Sequence, residues 1–154
     1  MNHLENLKKM MTGEIPGPPV AQVLGFKIVE VEEGRVVVEM EASERLHNPM
    51  GTLHGGILCD IADAAMGYTF ASTLADDEVF TTVEIKLNFL KPIFDSKLRA
   101  EGKIIKKGNS VGLLECHVYD EKGSLVAHST STCMILKGNA EQKRVKRGNG
   151  EEND

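Results

Sequence analysis

Cysteine is scarce in this chain of 154 residues, which carries only Cys59, Cys116 and Cys133. Three scattered cysteines cannot build a disulfide framework, and an odd count without a secretory signal predicts a reducing compartment. Long hydrophobic runs are missing too. A spanning helix needs about 20 apolar residues in a row, whereas stretches free of Asp, Glu, Lys and Arg, such as Leu46–Cys59 and Ala64–Ala75, are short and rich in small or polar side chains. Met1 to Met11 includes Glu5, Lys8 and Lys9 and has no apolar centre, so it does not read as a secretory signal. A soluble, cytoplasmic protein is expected.

Excess positive charge is also lacking. The net charge is −5, and Lys137–Asp154 holds five basic and four acidic residues, leaving 13 basic against 19 acidic in Met1–Leu136. An acidic body argues against nucleic-acid binding, and the cluster Lys143–Arg147 reads as a solvated terminus. There is no internal repeat or low-complexity block, and the length suits one domain.

Leu4, Leu7 and Met11 stand at helical spacing, so residues 1–12 predict a short amphipathic helix. Pro16, Pro18 and Pro19, with two glycines, end it. Gly25–Val31 and Arg35–Glu41 predict two strands with a hairpin at Glu32–Glu33–Gly34. Ile57 to about Leu74 is apolar nearly all round, interrupted by Asp60 and Asp63, and predicts a buried helix of about 27 Å. Thr81–Phe94, Lys97–Lys107, Val111–Tyr119 and Leu125–Leu136 follow as four strands. In the first, alternation places Thr81, Val83, Ile85, Leu87 and Phe89 on one face and Thr82, Glu84, Lys86 and Asn88 on the other. The fold class is α+β: about six mostly antiparallel strands curved round one helix.

Between strand and helix stands His47-Asn48-Pro49-Met50-Gly51-Thr52-Leu53-His54-Gly55-Gly56. Two glycines at the mouth of a buried helix let a ligand approach bare N–H groups at the positive end of its dipole, where a developing oxyanion is favoured. Asp63, two turns inside, is expected to be partly buried and therefore paired, hydrogen-bonded or functional. Asp60, read as a first-turn residue, shares its face and can raise its pKa.

These residues resemble the hotdog-fold thioesterases, in particular the phenylacetate-degradation type of acyl-CoA thioesterase. That pattern is Asn-x-x-Gly-x-x-His-Gly-Gly with an acid eight residues after the first glycine of the pair. Here it falls on Asn48, Gly51, His54, Gly55, Gly56 and Asp63. The resemblance covers about residues 20–136, including Lys91-Pro92. It implies a hotdog domain over 20–137, preceded by an N-terminal helix and linker (1–19) and followed by a charged tail (138–154). It also implies hydrolysis of an acyl-CoA by a homodimer or homotetramer with sites between subunits. Gly55 N–H would polarise the thioester carbonyl beside Gly56. Asn48 would assist at that oxygen or hold the loop, and Asp63 would act as general base or as nucleophile. His54 would orient the reacting groups near the sulfur, and Thr82 would hold the water. Lys106, Lys107 and Ser110 occupy the turn where such enzymes grip the nucleotide phosphates. Coenzyme A would be substrate, so no cofactor is implied.

The bland readings are tight packing for the glycines, a loop hydrogen bond for His54, and an ordinary hairpin turn around Lys106–Ser110. Met50, Met66, Phe70 and Phe89 fit either an acyl pocket or the core, and Cys59 reads as core. A serine-hydrolase nucleophile elbow is not expected. Adjacent Cys116 and His117 point to opposite faces and cannot act as a pair. His47, His54, Asp60 and Asp63 offer no short chelating pair, so no metal is expected. Two alternatives stay open. One is a hotdog hydratase or dehydratase, since His47-Asn48-Pro49 shares that group's His-x-Pro start, although its glutamate would fall at Ile61. The other is a non-catalytic acyl-CoA sensor on the same fold.

Overall fold

The computed structural model describes residues 2–137; the tail with Lys143–Arg147 lies outside them. Helix α1 (His3–Thr12) opens on Asn2, whose side chain accepts the Glu5 N–H, and ends at Gly13 in the left-handed region. A second short helix, α2 (Pro19–Leu24), follows the Pro/Gly stretch. Proline at its first position needs no N–H partner and has φ already set for a helix, so the residues that end α1 also start α2.

Strands β1 (Lys27–Glu32) and β2 (Arg35–Ala42) form the expected hairpin. A single 3-10 turn (Glu44–Leu46) and the motif loop lead into helix α3 (Gly55–Ala71). Strands β3 (Glu78–Phe89), β4 (Ser96–Lys107), β5 (Val111–Tyr119) and β6 (Leu125–Lys137) complete one antiparallel sheet in the order β1-β2-β4-β5-β6-β3. The sheet wraps α3: Ile61, Ala62, Ala65, Met66 and Phe70 are buried against Val36, Val38, Met40, Leu98, Ala100, Leu114 and Val118. Met66 and Phe70 are therefore core.

Two glycines set the depth of that contact. A Cβ at Gly102 on β4 would lie 2.5 Å from Thr69 Oγ1 and 2.7 Å from the Ala65 carbonyl oxygen, and one at Gly112 on β5 would overlap the Phe70 ring. The missing side chains let the helix backbone rest directly on the sheet. Polar bonds fasten the same end of α3. Thr69 Oγ1 donates to the Ala65 carbonyl at 2.7 Å and accepts the Val36 N–H at 3.1 Å. Ser72 Oγ accepts the Gly34 N–H at 2.9 Å.

Strand β3 forms an edge, and its regular alternation breaks at Val83. Thr82 pairs with Cys133 and Glu84 with Thr132, so Val83 is the extra residue of a bulge. The bulge resets the pleat. Phe80, Thr82, Ile85, Leu87 and Phe89 share the helix side with Cys133, Ser131 and Ser129 opposite them. Thr81 faces outward, opposite Met134. The placement of Thr82 with Glu84 expected from strict alternation is thereby corrected.

Candidate active site

The motif loop is built round Asn48. Its Oδ1 accepts the Met50 and Thr52 N–H groups at 3.0 and 3.2 Å, and its Nδ2 donates to Thr52 Oγ1 at 2.9 Å. Gly51 closes the turn by donating its N–H to the Asn48 carbonyl at 3.0 Å, with φ +82°, a region other residues rarely adopt. Of the two roles open to Asn48, holding the loop is thus one it performs. Asn48→Ala leaves these backbone groups without their side-chain partner. The expected cost is about 1–2 kcal/mol, a melting point lower by roughly 3–8 °C. Asn48→Asp keeps both acceptor bonds and is expected to recover most of that loss in a thermal melt.

His54 caps α3: Nδ1 accepts the Gly56 N–H at 3.0 Å, which requires that nitrogen to be unprotonated. A capping imidazole thus occupies the Gly56 N–H, whereas the Gly55 N–H, first of the helix, donates to no group among the described residues. The unpaired donor sits at the positive end of a 17-residue helix. Tight packing against the sheet belongs to Gly102 and Gly112. At Gly55 and Gly56 a Cβ would meet only side chains, Phe89 and His54 respectively, at 3.0 Å.

Gly55 and Asn48 line a cleft with Met50, Leu53, Phe89 and Pro92. Met50 and Phe89 are 84% and 60% exposed, so they are available to a ligand where Met66 and Phe70 are not. Asp63 opens elsewhere, into a cavity of about 500 Å3 that it shares with Asp60, Thr82, Leu7, Met10, Tyr68 and Phe80. By surface area Asp63 is exposed rather than partly buried. The cavity walls nonetheless strip hydration from its carboxyl, and with the Asp60 charge they raise its pKa above the usual carboxylate range. Because α3 begins at Gly55, Asp60 is its sixth residue and lies beyond the first turn. Cys59 is only half-buried, on the rim of the core.

Eight residues separate Gly55 from Asp63, about 12 Å of helix. One carbonyl cannot touch both groups within one chain. Val83, Ile85 and Phe89 on edge strand β3 are exposed beside this helix. The turn residues lie at the opposite end of α3 from Gly55: Lys107 Nζ donates to the Thr73 carbonyl at 2.5 Å and sits 5.9 Å from the centre of the Phe70 ring. Lys106 and Ser110 are exposed. Gly108-Asn109-Ser110-Val111-Gly112 does have Gly-x-Ser-x-Gly spacing, but it joins two antiparallel strands rather than a strand to a helix. Ser110 consequently has no helix N-terminus behind it and is no nucleophile elbow.

The sequence reading missed the walls of the Asp63 cavity, because α1 reaches it only through tertiary packing. His3 Nε2 lies 2.8 Å from the Glu78 carbonyl oxygen, and Leu7 is buried below it.

A family model described as the thioesterase superfamily matches residues 50–127. The chain belongs to the thioesterase superfamily. It is 32% identical over 116 residues to the 1,4-dihydroxy-2-naphthoyl-CoA hydrolase of Listeria monocytogenes, an alignment covering 75% of this chain and 94% of the relative. The acyl-coenzyme A thioesterase PaaI of Escherichia coli is 29% identical over 109 residues, covering 70% and 75% of the two chains. The solved structure of the E. coli PaaI protein superposes with a TM-score of 0.78 at 22% identity, over 88% of this chain and 96% of that one. A phenylacetic acid degradation-related protein of Ralstonia eutropha superposes with a TM-score of 0.76 at 31% identity, over 83% and 98%. The thioesterase has the hotdog fold of these neighbours and is a thioester hydrolase. Among its described residues no helix is long and apolar enough to cross a membrane.

Proposed function

We propose that this thioesterase hydrolyses acyl-CoA substrates at sites shared by two copies of the chain. The observation that carries the reading is the separation of Gly55 and Asp63 into different clefts about 12 Å apart along one helix. A second copy laid antiparallel along β3 and α3 would bring its own Asp63 toward this Gly55. The exposed apolar edge of β3 suits such a contact. Two relatives named for acyl-CoA hydrolysis support the substrate class.

In this scheme the Gly55 N–H holds the thioester carbonyl oxygen, with Gly56 leaving the approach free of a side chain and His54 fixing the turn near the sulfur. Asp63 from the other copy takes a proton from water held against Thr82. The hydroxide adds to the carbonyl carbon, and negative charge moves to the oxygen facing Gly55. The C–S bond then breaks, and the departing thiolate recovers the proton from Asp63. A carboxyl with raised pKa is a better proton acceptor than an ordinary one, which suits Asp63 to the base role. The apolar walls at Leu7, Met10, Tyr68 and Phe80 suit the acyl group, and exposed Lys106 and Ser110 suit phosphate.

Purified full-length chain, a panel of aromatic and aliphatic acyl-CoAs and a thiol-detecting reagent test the activity; failure to release coenzyme A from any of them would remove the substrate assignment. Subunit mixing tests the assembly. Asp63→Asn and Gly55→Ala chains, each inactive alone, are expected to regain activity after reassociation. Random pairing into dimers restores about a quarter of the sites. Mixtures that exchange subunits by mass spectrometry yet stay inactive would place each site within one chain.

A further inference from the structure

The face of the sheet turned away from α3 carries a cluster the thioesterase chemistry does not use. Glu115 and His117 stand two apart on β5 and share a face, and His128 on β6 pairs directly opposite His117. Nε2 of His128 is 3.2 Å from Oε2 of Glu115, and one donor atom from each of the three lies within 4.8 Å of the others. All three are half-buried. The two imidazoles meet with centroids 4.8 Å apart and planes at 60°, and Tyr119 stacks beside His117 at 6.2 Å.

We infer that Glu115, His117 and His128 form a binding site for a divalent transition ion of the Zn2+ class. The donor set decides the class. Two imidazoles and a carboxylate suit Zn2+, Co2+ or Ni2+, whereas Mg2+ and Ca2+ prefer oxygen alone. Metal bonds of 2.0–2.1 Å in a tetrahedron place donor atoms about 3.3 Å apart, and the Glu115–His128 edge already measures 3.2 Å. The other edges close by side-chain rotation on a rigid two-strand platform. Three ligands from one sheet face leave the fourth position pointing outward, open to water or a small anionic ligand.

The neighbouring charges leave the donors available. Glu101 pairs across the strands with His117 but is engaged by Arg35 and Lys103, each at 3.0 Å. Lys103, opposite Glu115, is held by that same Glu101. An ion pair alone would account for Glu115 and His128. It gives no reason for a second imidazole against the first.

The test uses the full chain, stripped with a chelator and desalted, then titrated with Zn2+ by calorimetry. One ion per chain is expected. His117→Ala, His128→Ala and Glu115→Gln should each weaken binding by more than the ~10–100-fold lost with an outer-shell partner. His3→Ala and His47→Ala should leave it unchanged. Co2+ should give the intense visible bands of a four-coordinate site. Should the variants fold poorly, imidazole 15N shifts of the unmodified protein report directly, and His117 and His128 should move together on adding Zn2+. Stoichiometric binding unaffected by the His117 and His128 changes, no stoichiometric binding, or Zn2+ shifts confined to other histidines would each overturn the assignment.

Discussion

Asp63→Asn is expected to retain acyl-CoA binding while lowering turnover by roughly 10²–10⁴-fold, the usual contribution of a positioned acid–base group. The amide keeps the shape of the carboxylate and cannot accept the proton from water. A second effect has the opposite sign. Lost hydration and the Asp60 charge raise the folded-state pKa of Asp63 above its ordinary value of 3.8. Ionising it therefore costs the folded state more than the unfolded one. Its contribution to stability falls as pH rises from the ordinary value through the raised one, and the deficit persists above that. Asp63→Asn should therefore melt higher than the parent at neutral pH, and the gain should vanish below the ordinary value. The parent's kcat/KM should fall on acidification through the raised pKa, with that limb absent from the variant. Near-parental turnover in the folded variant would end the base assignment, and a lower neutral-pH melting point would end the argument from desolvation. Label entering Asp63 during single turnovers in 18O-water would establish direct attack, because the base route puts water oxygen only into the product acid.

Gly55→Ala is expected to lower the catalytic rate by roughly 10²–10³-fold, the range for losing one oxyanion donor. A fixed N–H dipole stabilises the oxygen most when it carries full charge, so ground-state binding should change less. Crowding is the competing explanation, because the new Cβ would sit 3.0 Å from Cε1 and Cζ of Phe89. The ring is 60% exposed and can swing away. Phe89→Leu in the same chain separates the two. Relief of crowding should restore the melting point in the double variant, while the rate stays low because the carbonyl remains displaced from its donor. A rate restored along with the melting point would assign Gly55 to packing.

Local rules carried the fold a long way. A helix apolar on nearly every side had to be central, and four strand-like runs after it had to wrap round it. The Asn48–Gly56 pattern with Asp63 located both candidate clefts. Where local rules failed, a tertiary choice intervened. Strict alternation sent Thr82 outward, and one extra residue at Val83 turned it toward Asp63, a change invisible without the β6 register. Beginning α3 at Ile57 made Asp60 a first-turn residue, because two glycines do not read as helix. They enter it because His54 caps the Gly56 N–H. Strand alternation set His117 apart from Cys116 but did not single out Glu115 or His128, because their meeting depends on which residues β5 and β6 align.

The glycines at 102 and 112 fix more than a packing distance. With α3 resting on the sheet backbone, the floor beneath Asp63 cannot be lowered without moving the carboxylate proposed to react. Helix α1 contributes Leu7 and Met10 to the same cavity and carries none of the proposed chemistry. It is a roof over a fixed floor, supplied by a separate part of the chain. Under the proposed function, changes of acyl preference have a place to accumulate, in the N-terminal dozen residues, where a larger or smaller side chain alters the fit while the groups proposed to hydrolyse stay in register.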